Sequence, residues 1–327
     1  MPELRVDPLT GLKSIIAGAR ATRPGGGYAV DPCPPIDPEG DPFAPGHEDQ
    51  TPPEVFAVRP NGSAPDSPGW SVRAVPNLYP ALTADAADPE PHANPDLFTA
   101  QPALGHHEVI VNAPDVVTSL TDLPVDKVVH AVDAWRARMR AHSDAACRHL
   151  IVNERREAGA SLPHTHAQLY ALAFVPAAVA RERERFTAYA TRTMGGNLLG
   201  DLVQEEVRQR ARVVAIDDEA VAMAPYASRV PFQLMLAPRR PRPLFEDDEG
   251  PSGAALLHDV LGRLRRRLGA SPPLNLWVRT APRGAEHFCW RIDIMPRLTH
   301  LAGLELGTGV NLCVVPPEQA AAELREA

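Results

Sequence analysis

The two halves of this 327-residue chain repeat one order of elements: a helix, a strand, a loop and a strand. In the first half, residues 125–141 carry apolar side chains at the spacing of an amphipathic helix. Strand-like residues 149–153, a loop and a second strand-like segment at 164–168 follow. The repeated order predicts a structural duplication.

The segment His164-Thr-His-Ala-Gln168 carries functional side chains at alternate positions. Alternate residues of a strand project from one face, so the two imidazoles and the amide are predicted to converge. A neutral imidazole can attack phosphorus when a neighbour fixes its tautomer and leaves a lone pair on the attacking nitrogen. Two histidines at this spacing are equally common as metal ligands, so these residues alone leave catalysis and metal binding open.

The second half contains the same order of elements without obvious sequence identity to the first. If the final strands correspond, the places of the histidines and glutamine are taken by Cys289, Arg291 and Asp293. We therefore predict two units, residues 1–180 and 181–327, with the nucleophile in the first. The strand-like and helix-like segments of the second unit are 213–216, 220–224, 232–237, 253–268, 275–279 and 288–295.

The histidine segment resembles the active-site strand of the histidine-triad superfamily, specifically its transferase branch, typified by the galactose-1-phosphate uridylyltransferase family. Hydrolases of the superfamily carry H-x-H-x-H, whereas the transferases carry glutamine at the third position, as Gln168 does here. Thr165 replaces the family's usual proline, which removes a rigid φ constraint. The resemblance implies an α+β fold of two tandem histidine-triad-like units on antiparallel sheet with flanking helices. Further blocks resemble family motifs in the same order, at residues 20–24, 45–56, 72–82, 296–299, 302–310 and 316–321.

The resemblance also implies a ping-pong reaction in which a nucleoside diphosphate sugar gives its nucleotide to the middle histidine, His166. The backbone carbonyl of His164 would hold the other ring nitrogen of the nucleophile, and Gln168 would donate to phosphoryl oxygens. The positions that match the family's substrate-binding residues are Arg20, Arg23, Asn77, Asn153, Ser161 and Glu305. Arg20 and Arg23 would contact the donor phosphates, and Asn77 would contact the nucleobase. Asn153 and Ser161 would lie near the α-phosphate. Glu305 would bind the sugar hydroxyls.

Most of the family's metal ligands are missing from this chain. Many relatives bind structural zinc through C-P-x-C, a later histidine and the first active-site histidine. This chain has Asp41-Pro-Phe-Ala44 in place of C-P-x-C, and Val116 in place of the later histidine. Structural zinc needs four protein ligands, so we expect neither zinc nor another cofactor. An alternative set of ligands would be His47, His106 and His107.

The second half also departs from the family pattern. Relatives commonly have His-Trp-His-Ile-Glu where this chain has Cys289-Trp-Arg-Ile-Asp293. A second metal is therefore not expected, and the acceptor pocket should differ. Because burying a guanidinium is costly without a partner, Arg291 is predicted to pair with Asp293 or Glu305, or to meet an anionic group of the acceptor.

The leading functional interpretation is a nucleotidyltransferase that moves UMP between a UDP-sugar and a sugar 1-phosphate, in galactose metabolism or a specialised pathway. One alternative is a phosphorylase that splits a nucleotide sugar or a dinucleoside polyphosphate with inorganic phosphate. A second alternative is direct use of a nucleoside triphosphate donor with an unusual sugar 1-phosphate. A third is a binding homologue without catalytic activity, and the retained histidines and glutamine oppose this last interpretation. Because Asn77 suits more than one base, the sequence leaves the nucleobase open.

Charge and composition limit the partners of the protein. The formal net charge of −8 opposes a general nucleic-acid surface, because phosphate backbones are bound by clustered Lys and Arg. No apolar run reaches transmembrane length, the first residues lack the pattern of a secretory signal, and the four cysteines form no C-x-x-C pair. We therefore expect a cytoplasmic protein without nucleic-acid or membrane partners, and the family resemblance implies a homodimer.

Overall fold

The computed structural model describes residues 1–22, 28–85, 87–90, 94, 96–247 and 250–327. Each half contains a helix followed by two strands, as the repeated order predicts. The strands are β1 (Glu3–Val6), β2 (Lys13–Ile16), β3 (Phe56–Val58), β4 (Val72–Pro76), β5 (Gly105–Val111), β6 (Cys147–Glu154), β7 (His166–Leu172), β8 (Val213–Ile216), β9 (Ala220–Met223), β10 (Leu234–Pro238), β11 (Leu274–Arg279), β12 (Arg291–Pro296) and β13 (Asn311–Cys313).

The helices include the two that the sequence predicts at 125–141 and 253–268. Among the described residues, none of the helices is both long enough and apolar enough to cross a membrane. The helices are α1 (Val125–Ala141), α2 (Ala177–Thr193), α3 (Leu198–Gln209), α4 (Ala254–Leu268), α5 (Gly303–Thr308) and α6 (Pro317–Glu326).

Most strands form one ten-stranded sheet in the order β3-β4-β5-β7-β6-β11-β12-β10-β9-β8, and its pairings are antiparallel. A separate three-stranded sheet contains β1, β2 and β13. The predicted α+β fold on antiparallel sheet is therefore confirmed.

From the centre of the large sheet outwards, the strands of the two halves follow the same order. The three strands β6, β7 and β5 on one side correspond to β11, β12 and β10 on the other, so β12 lies at the place of β7. The two halves meet where β6 pairs with β11, with Asn153 opposite Asn275. Residue 180 lies within α2, and the division into domains at that residue stays a prediction.

The helices α1 and α4 cover one face of the sheet and form the main core. Trp135 of α1 and Leu261 of α4 are buried there with strand residues such as Leu169 and Ile294. Because side chains alternate along a strand, the residues next to Leu169 in β7 project from the opposite face. The fold therefore places Gln168 on the sheet face that these two helices leave uncovered.

The two halves cover that opposite face differently. In the second half, Phe186 of α2 and Leu199 of α3 pack with Met235 of β10 in a second apolar cluster. In the first half, Phe43 comes from an irregular segment and packs with Val109 of β5 in a small third cluster. Helices thus close this face beside β12, whereas a loop borders it beside β7.

Glu154, the last residue of β6, is a buried carboxyl group that joins the strand to the segment before α1. It accepts a hydrogen bond from the Leu120 N–H at 2.8 Å and one from the Ser119 hydroxyl at 2.7 Å. Burial raises the pKa of Glu154 from 4.5 to about 7. Between those two pH values the folded protein keeps a proton that the unfolded chain loses, so stability falls as the pH rises through this window.

We expect Glu154→Gln to be more stable than the wild type near pH 8 and no more stable near pH 4.5, because the amide keeps an acceptor but has no charge to bury. The difference at high pH should reach up to about 3 kcal/mol. Urea unfolding of both proteins across this range measures it. A stability difference that does not change with pH would contradict this interpretation.

Candidate active site

His166 is the first residue of β7, and within the described part of the chain its ring is hydrogen-bonded through Nδ1 alone. The Nδ1–H donates to the backbone carbonyl of His164 at 2.7 Å, which is the contact that the family resemblance implies. The ring is buried and packs edge-on against Phe43, with the centroids 5.3 Å apart. Burial lowers the pKa of His166, so the ring is neutral at neutral pH and Nε2 carries a lone pair. This tautomer and charge state suit attack on phosphorus.

His164 lies just before β7, and two acceptors hold its ring. Nδ1 lies 2.7 Å from Oδ2 of Asp41, and Nε2 lies 2.8 Å from the backbone carbonyl of Ala113. The ring and the Asp41 carboxyl group thus form a fully buried pair, and both ring nitrogens of His164 are engaged. His164 is 1% exposed, so its ring supports the site from inside the protein while its carbonyl orients His166.

The residues around His164 do not fit the family's structural zinc. Ala44 and Val116 have no donor atoms, and Asp41 is already engaged by the histidine. Among the residues that the structure describes, no group of three or more His, Cys, Asp or Glu side chains could hold a metal ion. The alternative ligands are engaged elsewhere as well: His47 bonds the Asp41 carbonyl, and the His106 ring packs on another histidine ring.

We expect the purified protein to contain less than one zinc per chain and to keep its melting temperature and activity in EDTA, because Asp41 and His164 are bonded to each other and the other ligand places have no donor side chain. Elemental analysis and thermal unfolding with and without the chelator test this. One tightly held zinc per chain, or a lower melting temperature in EDTA, would contradict it.

Thr165 compensates for the missing proline through hydrogen bonds. Its N–H, which a proline would lack, donates to the Val117 carbonyl at 2.8 Å. Its hydroxyl accepts from the Asn112 amide at 3.0 Å, and Trp135 of α1 donates to the same asparagine at 2.9 Å. The backbone between the two histidines is therefore held by buried polar contacts instead of by a ring.

Gln168 lies on the same face of β7 as His166, and two donors meet at its side-chain oxygen. His107 Nε2 lies 3.0 Å from Gln168 Oε1, and the Tyr170 hydroxyl donates to the same oxygen at 3.1 Å. The His107 ring stacks on Tyr170, with the centroids 4.1 Å apart, and its Nδ1 accepts from the Ala81 N–H at 3.2 Å. From the sequence, His107 was a candidate only as a metal ligand, and Tyr170 had no predicted role.

Three of the predicted substrate-binding residues lie near β7 or near a side chain that contacts it. Asn77 follows β4, and its side-chain nitrogen lies 3.1 Å from His107 Nε2. Asn153 lies on β6, and its Oδ1 accepts from the Asn275 amide of the second half at 2.8 Å. Ser161 is exposed in the loop that joins β6 to β7. These residues therefore surround the strand that begins with His166.

Among the described residues, Arg20 and Glu305 lie on elements away from β7. Arg20 is exposed in a short helix after β2, where it lines a surface cavity with Glu318, and Arg23 lies outside the described residues. The Glu305 carboxylate accepts from the Ala302 N–H at the start of α5, which packs beside β13. In the described part of the chain, Arg20 and Glu305 make no hydrogen bond to β7.

In the second half, ion pairs stand where the first half has its histidines. Arg291 donates to Asp293 at 2.9 Å, as the sequence predicts, and to Glu182 of α2 at 3.0 Å, which the sequence did not predict. All three side chains are buried. Burial raises the pKa of Cys289, at the place of His164, to about 11, so its thiol is unreactive at neutral pH. In this half, the buried ion pairs connect β12 to α2.

The chain is similar to known proteins over its whole length. The family model for the galactose-1-phosphate uridyl transferase N-terminal domain matches residues 1–176, and a domain of unknown function matches residues 126–326. The ADP-glucose phosphorylase of Arabidopsis thaliana is 28% identical over 99% of this chain and 93% of its own. A galactose-1-phosphate uridylyltransferase of Cryptococcus neoformans is 27% identical over 98% of this chain and 89% of its own.

Solved structures match the fold equally completely. The crystal structure of the Arabidopsis thaliana ADP-glucose phosphorylase with bound ADP-glucose has a TM-score of 0.81 and 27% identity, covering 100% of this chain and 99% of that chain. A uridylyltransferase structure has a TM-score of 0.75 and 27% identity, covering 100% and 98%. The first family model matches more than half of the chain. The protein therefore belongs to the galactose-1-phosphate uridylyltransferase family and is a nucleotidyltransferase of that type.

Proposed function

We propose that this protein transfers a nucleoside monophosphate, in the leading case UMP, from a nucleoside diphosphate sugar to a sugar 1-phosphate through a covalent intermediate on His166. The observation that carries the proposal is the 2.7 Å hydrogen bond from Nδ1–H of His166 to the His164 carbonyl, which leaves Nε2 with its lone pair. Membership of the uridylyltransferase family supports the same chemistry.

The reaction consists of two displacements at one phosphorus atom. In the first, Nε2 of His166 attacks the α-phosphorus, a P–N bond forms, and the P–O bond to the leaving sugar 1-phosphate breaks. In the second, a phosphate oxygen of the acceptor attacks the same phosphorus and the P–N bond breaks, which returns neutral His166. The His164 carbonyl accepts the Nδ1–H in both steps and so stabilises the positive charge of the nucleotidylated ring.

The neighbouring polar side chains have complementary roles in this proposal. The Gln168 amide donates to the non-bridging phosphoryl oxygens, where negative charge develops. The Asn153 amide has its oxygen held by Asn275, so its N–H groups are available to the α-phosphate together with the Ser161 hydroxyl. Asn77 contacts the nucleobase.

The more distant family positions complete the proposed site in a homodimer. Arg20 and Arg23 would bind donor phosphates, a task that suits the guanidinium fork. Glu305, on α5 beside β13, would take sugar hydroxyls at the site of the partner subunit. We also place the enzyme in the cytoplasm. Sedimentation of the purified protein tests the dimer, and a monomer with full activity would contradict it.

Phosphorolysis is the second candidate function. The structure of the ADP-glucose phosphorylase of Arabidopsis thaliana matches the whole of this chain and contains ADP-glucose. This similarity favours inorganic phosphate as an acceptor and adenine as a base. The two functions share the intermediate on His166 and differ in what removes the nucleotide. The buried ion pairs of Arg291 at the second-half strand also favour an acceptor site that differs from the family's pattern.

Intact-mass analysis of the protein tests both the intermediate and its base. Incubation with UDP-glucose, UDP-galactose, ADP-glucose or GDP-glucose should give one nucleoside monophosphate adduct per chain, which peptide mapping places on His166. Galactose 1-phosphate, glucose 1-phosphate or orthophosphate is then added to learn which acceptor discharges the adduct. Absence of an adduct and of exchange with every donor would contradict the proposed function.

The acid limb of the pH profile should report on His166. Burial lowers the pKa of this ring below its ordinary value of 6.5, and only the neutral ring can attack phosphorus. We therefore expect kcat/KM for the donor to stay level down to about pH 6.5 and to fall only below that value. Steady-state kinetics in overlapping buffers measure the profile, and a midpoint above pH 7 would contradict the assignment.

A further inference from the structure

The tautomer of His107 is fixed by a backbone group. The Ala81 N–H points at Nδ1 of this ring from 3.2 Å, so Nδ1 must carry the lone pair. A neutral imidazole has its proton on the other nitrogen, and burial lowers the pKa of His107, which favours the neutral form. Nε2 of His107 therefore donates, and the acceptor in front of it is Gln168 Oε1 at 3.0 Å.

This tautomer decides which way the Gln168 amide faces. An amide has one acceptor end and one donor end, and two donors, His107 Nε2–H and the Tyr170 hydroxyl, meet at its oxygen. The reverse orientation would set the amide N–H groups against both donors. The Asn77 nitrogen lies 3.1 Å from Nε2, but a protonated Nε2 has no lone pair to accept from it, so this contact does not compete with the bond to Gln168.

We propose that His107 and Tyr170 are positioning residues that lock the Gln168 amide with its NH₂ toward the phosphoryl group transferred to His166. This inference rests on the proposed function, and it adds residues to which neither the sequence nor the family motif gives such a role. A free glutamine amide turns about its last bond, and half of its orientations would present an oxygen to the negatively charged phosphoryl group. The two donors remove those orientations before the substrate binds, so the charge that develops in the transition state meets a preset donor.

The proposal predicts a loss in the chemical step without a matching loss in donor binding. His107→Phe keeps a ring that can stack on Tyr170 but removes both ring nitrogens. We expect the single-turnover rate of adduct formation to fall by about 10- to 100-fold, less than the loss of a complete oxyanion donor. The donor concentration at half-maximal rate should change by less than about threefold, because a positioning defect raises the barrier more than it weakens ground-state binding.

A double-mutant cycle with Gln168→Ala separates positioning from a merely structural role. If His107 acts through Gln168, then His107→Phe costs nothing further once the amide is gone, whereas a structural role costs the same factor in both backgrounds. His107→Gln supplies an N–H at a similar reach and should recover most of the rate. His106→Phe, the same substitution at the exposed neighbouring residue, is the matched control and should behave as wild type.

Three results would overturn the proposal: an unchanged adduct rate in His107→Phe, an equal loss in the Gln168→Ala background, or an equal loss in the control. If His107→Phe does not fold by circular dichroism, Tyr170→Phe removes the other donor, keeps its ring and enters the same cycle with the same criteria. Failure of the proposed function gives a different result, because wild-type protein would then form no adduct with any nucleotide sugar.

Discussion

His166→Gly is expected to lower nucleotide transfer by at least about 10⁴-fold, because the remaining groups bind and stabilise charge but cannot form the intermediate. Added imidazole is expected to restore cleavage of the donor, since it fits the space that a ring only 5% exposed leaves behind. Initial rates of donor cleavage with and without imidazole measure both effects.

His164→Ala serves as the comparison for this result. It removes the hydrogen bond to Asp41 but leaves a backbone carbonyl at residue 164, so activity should fall while some nucleotidyl adduct still forms. If His166→Gly turned over normally and His164→Ala did not, the roles assigned to the two histidines would be wrong.

Asp41→Ala is expected to destabilise the fold by about 2–4 kcal/mol, because it leaves two buried groups, His164 Nδ1 and the Phe43 N–H, without the carboxyl group that bonds them. The side chains of Asp41 and His164 are 0% exposed, and the carboxyl group accepts the Phe43 N–H at 3.0 Å. Loss of the pair should therefore loosen the segment that packs on His166 as well. Urea unfolding at neutral pH gives the free energy, and the adduct rate at a temperature where the variant is folded gives the effect on the site.

Asp37→Ala is the matched control for that variant. Asp37 lies four residues earlier, is exposed, and caps a short helix through the Glu39 N–H at 3.2 Å. Loss of such a cap costs about 1 kcal/mol. If Asp41→Ala cost no more than this control, the pair with His164 would not be the support that its burial indicates.

Local patterns of the sequence predicted the elements that carry the site. The apolar spacing of residues 125–141 gives α1 with its observed bounds. The alternation at 164–168 predicted a strand, but β7 begins only at His166. The difference has a physical reason, because the Thr165 N–H and the His164 ring both bond the segment at 113–117 instead of a neighbouring strand.

The partners of the site residues were harder to predict because they are remote in the chain. His107 and Gln168 are 61 residues apart, and Arg291 and Glu182 are 109 apart. Neither pair leaves a local pattern. His107 lies just before the apolar run at 109–111, which indicates a buried strand, so its burial could have been predicted. Glu182 lies in a helix rich in charged residues, where no local pattern indicates that it is buried.

The pairing of β6 with β11 through the middle of the sheet makes the half with His166 dependent on the other half. A cut near residue 180 would expose the eight-residue β6 as a bare edge, with unpaired N–H and C=O groups in a row. Such edges recruit other chains and aggregate. The same cut would remove Asn275 from the Asn153 amide. The half without the histidines is thus the β-strand neighbour that the half with His166 needs in order to leave no open sheet edge at β6.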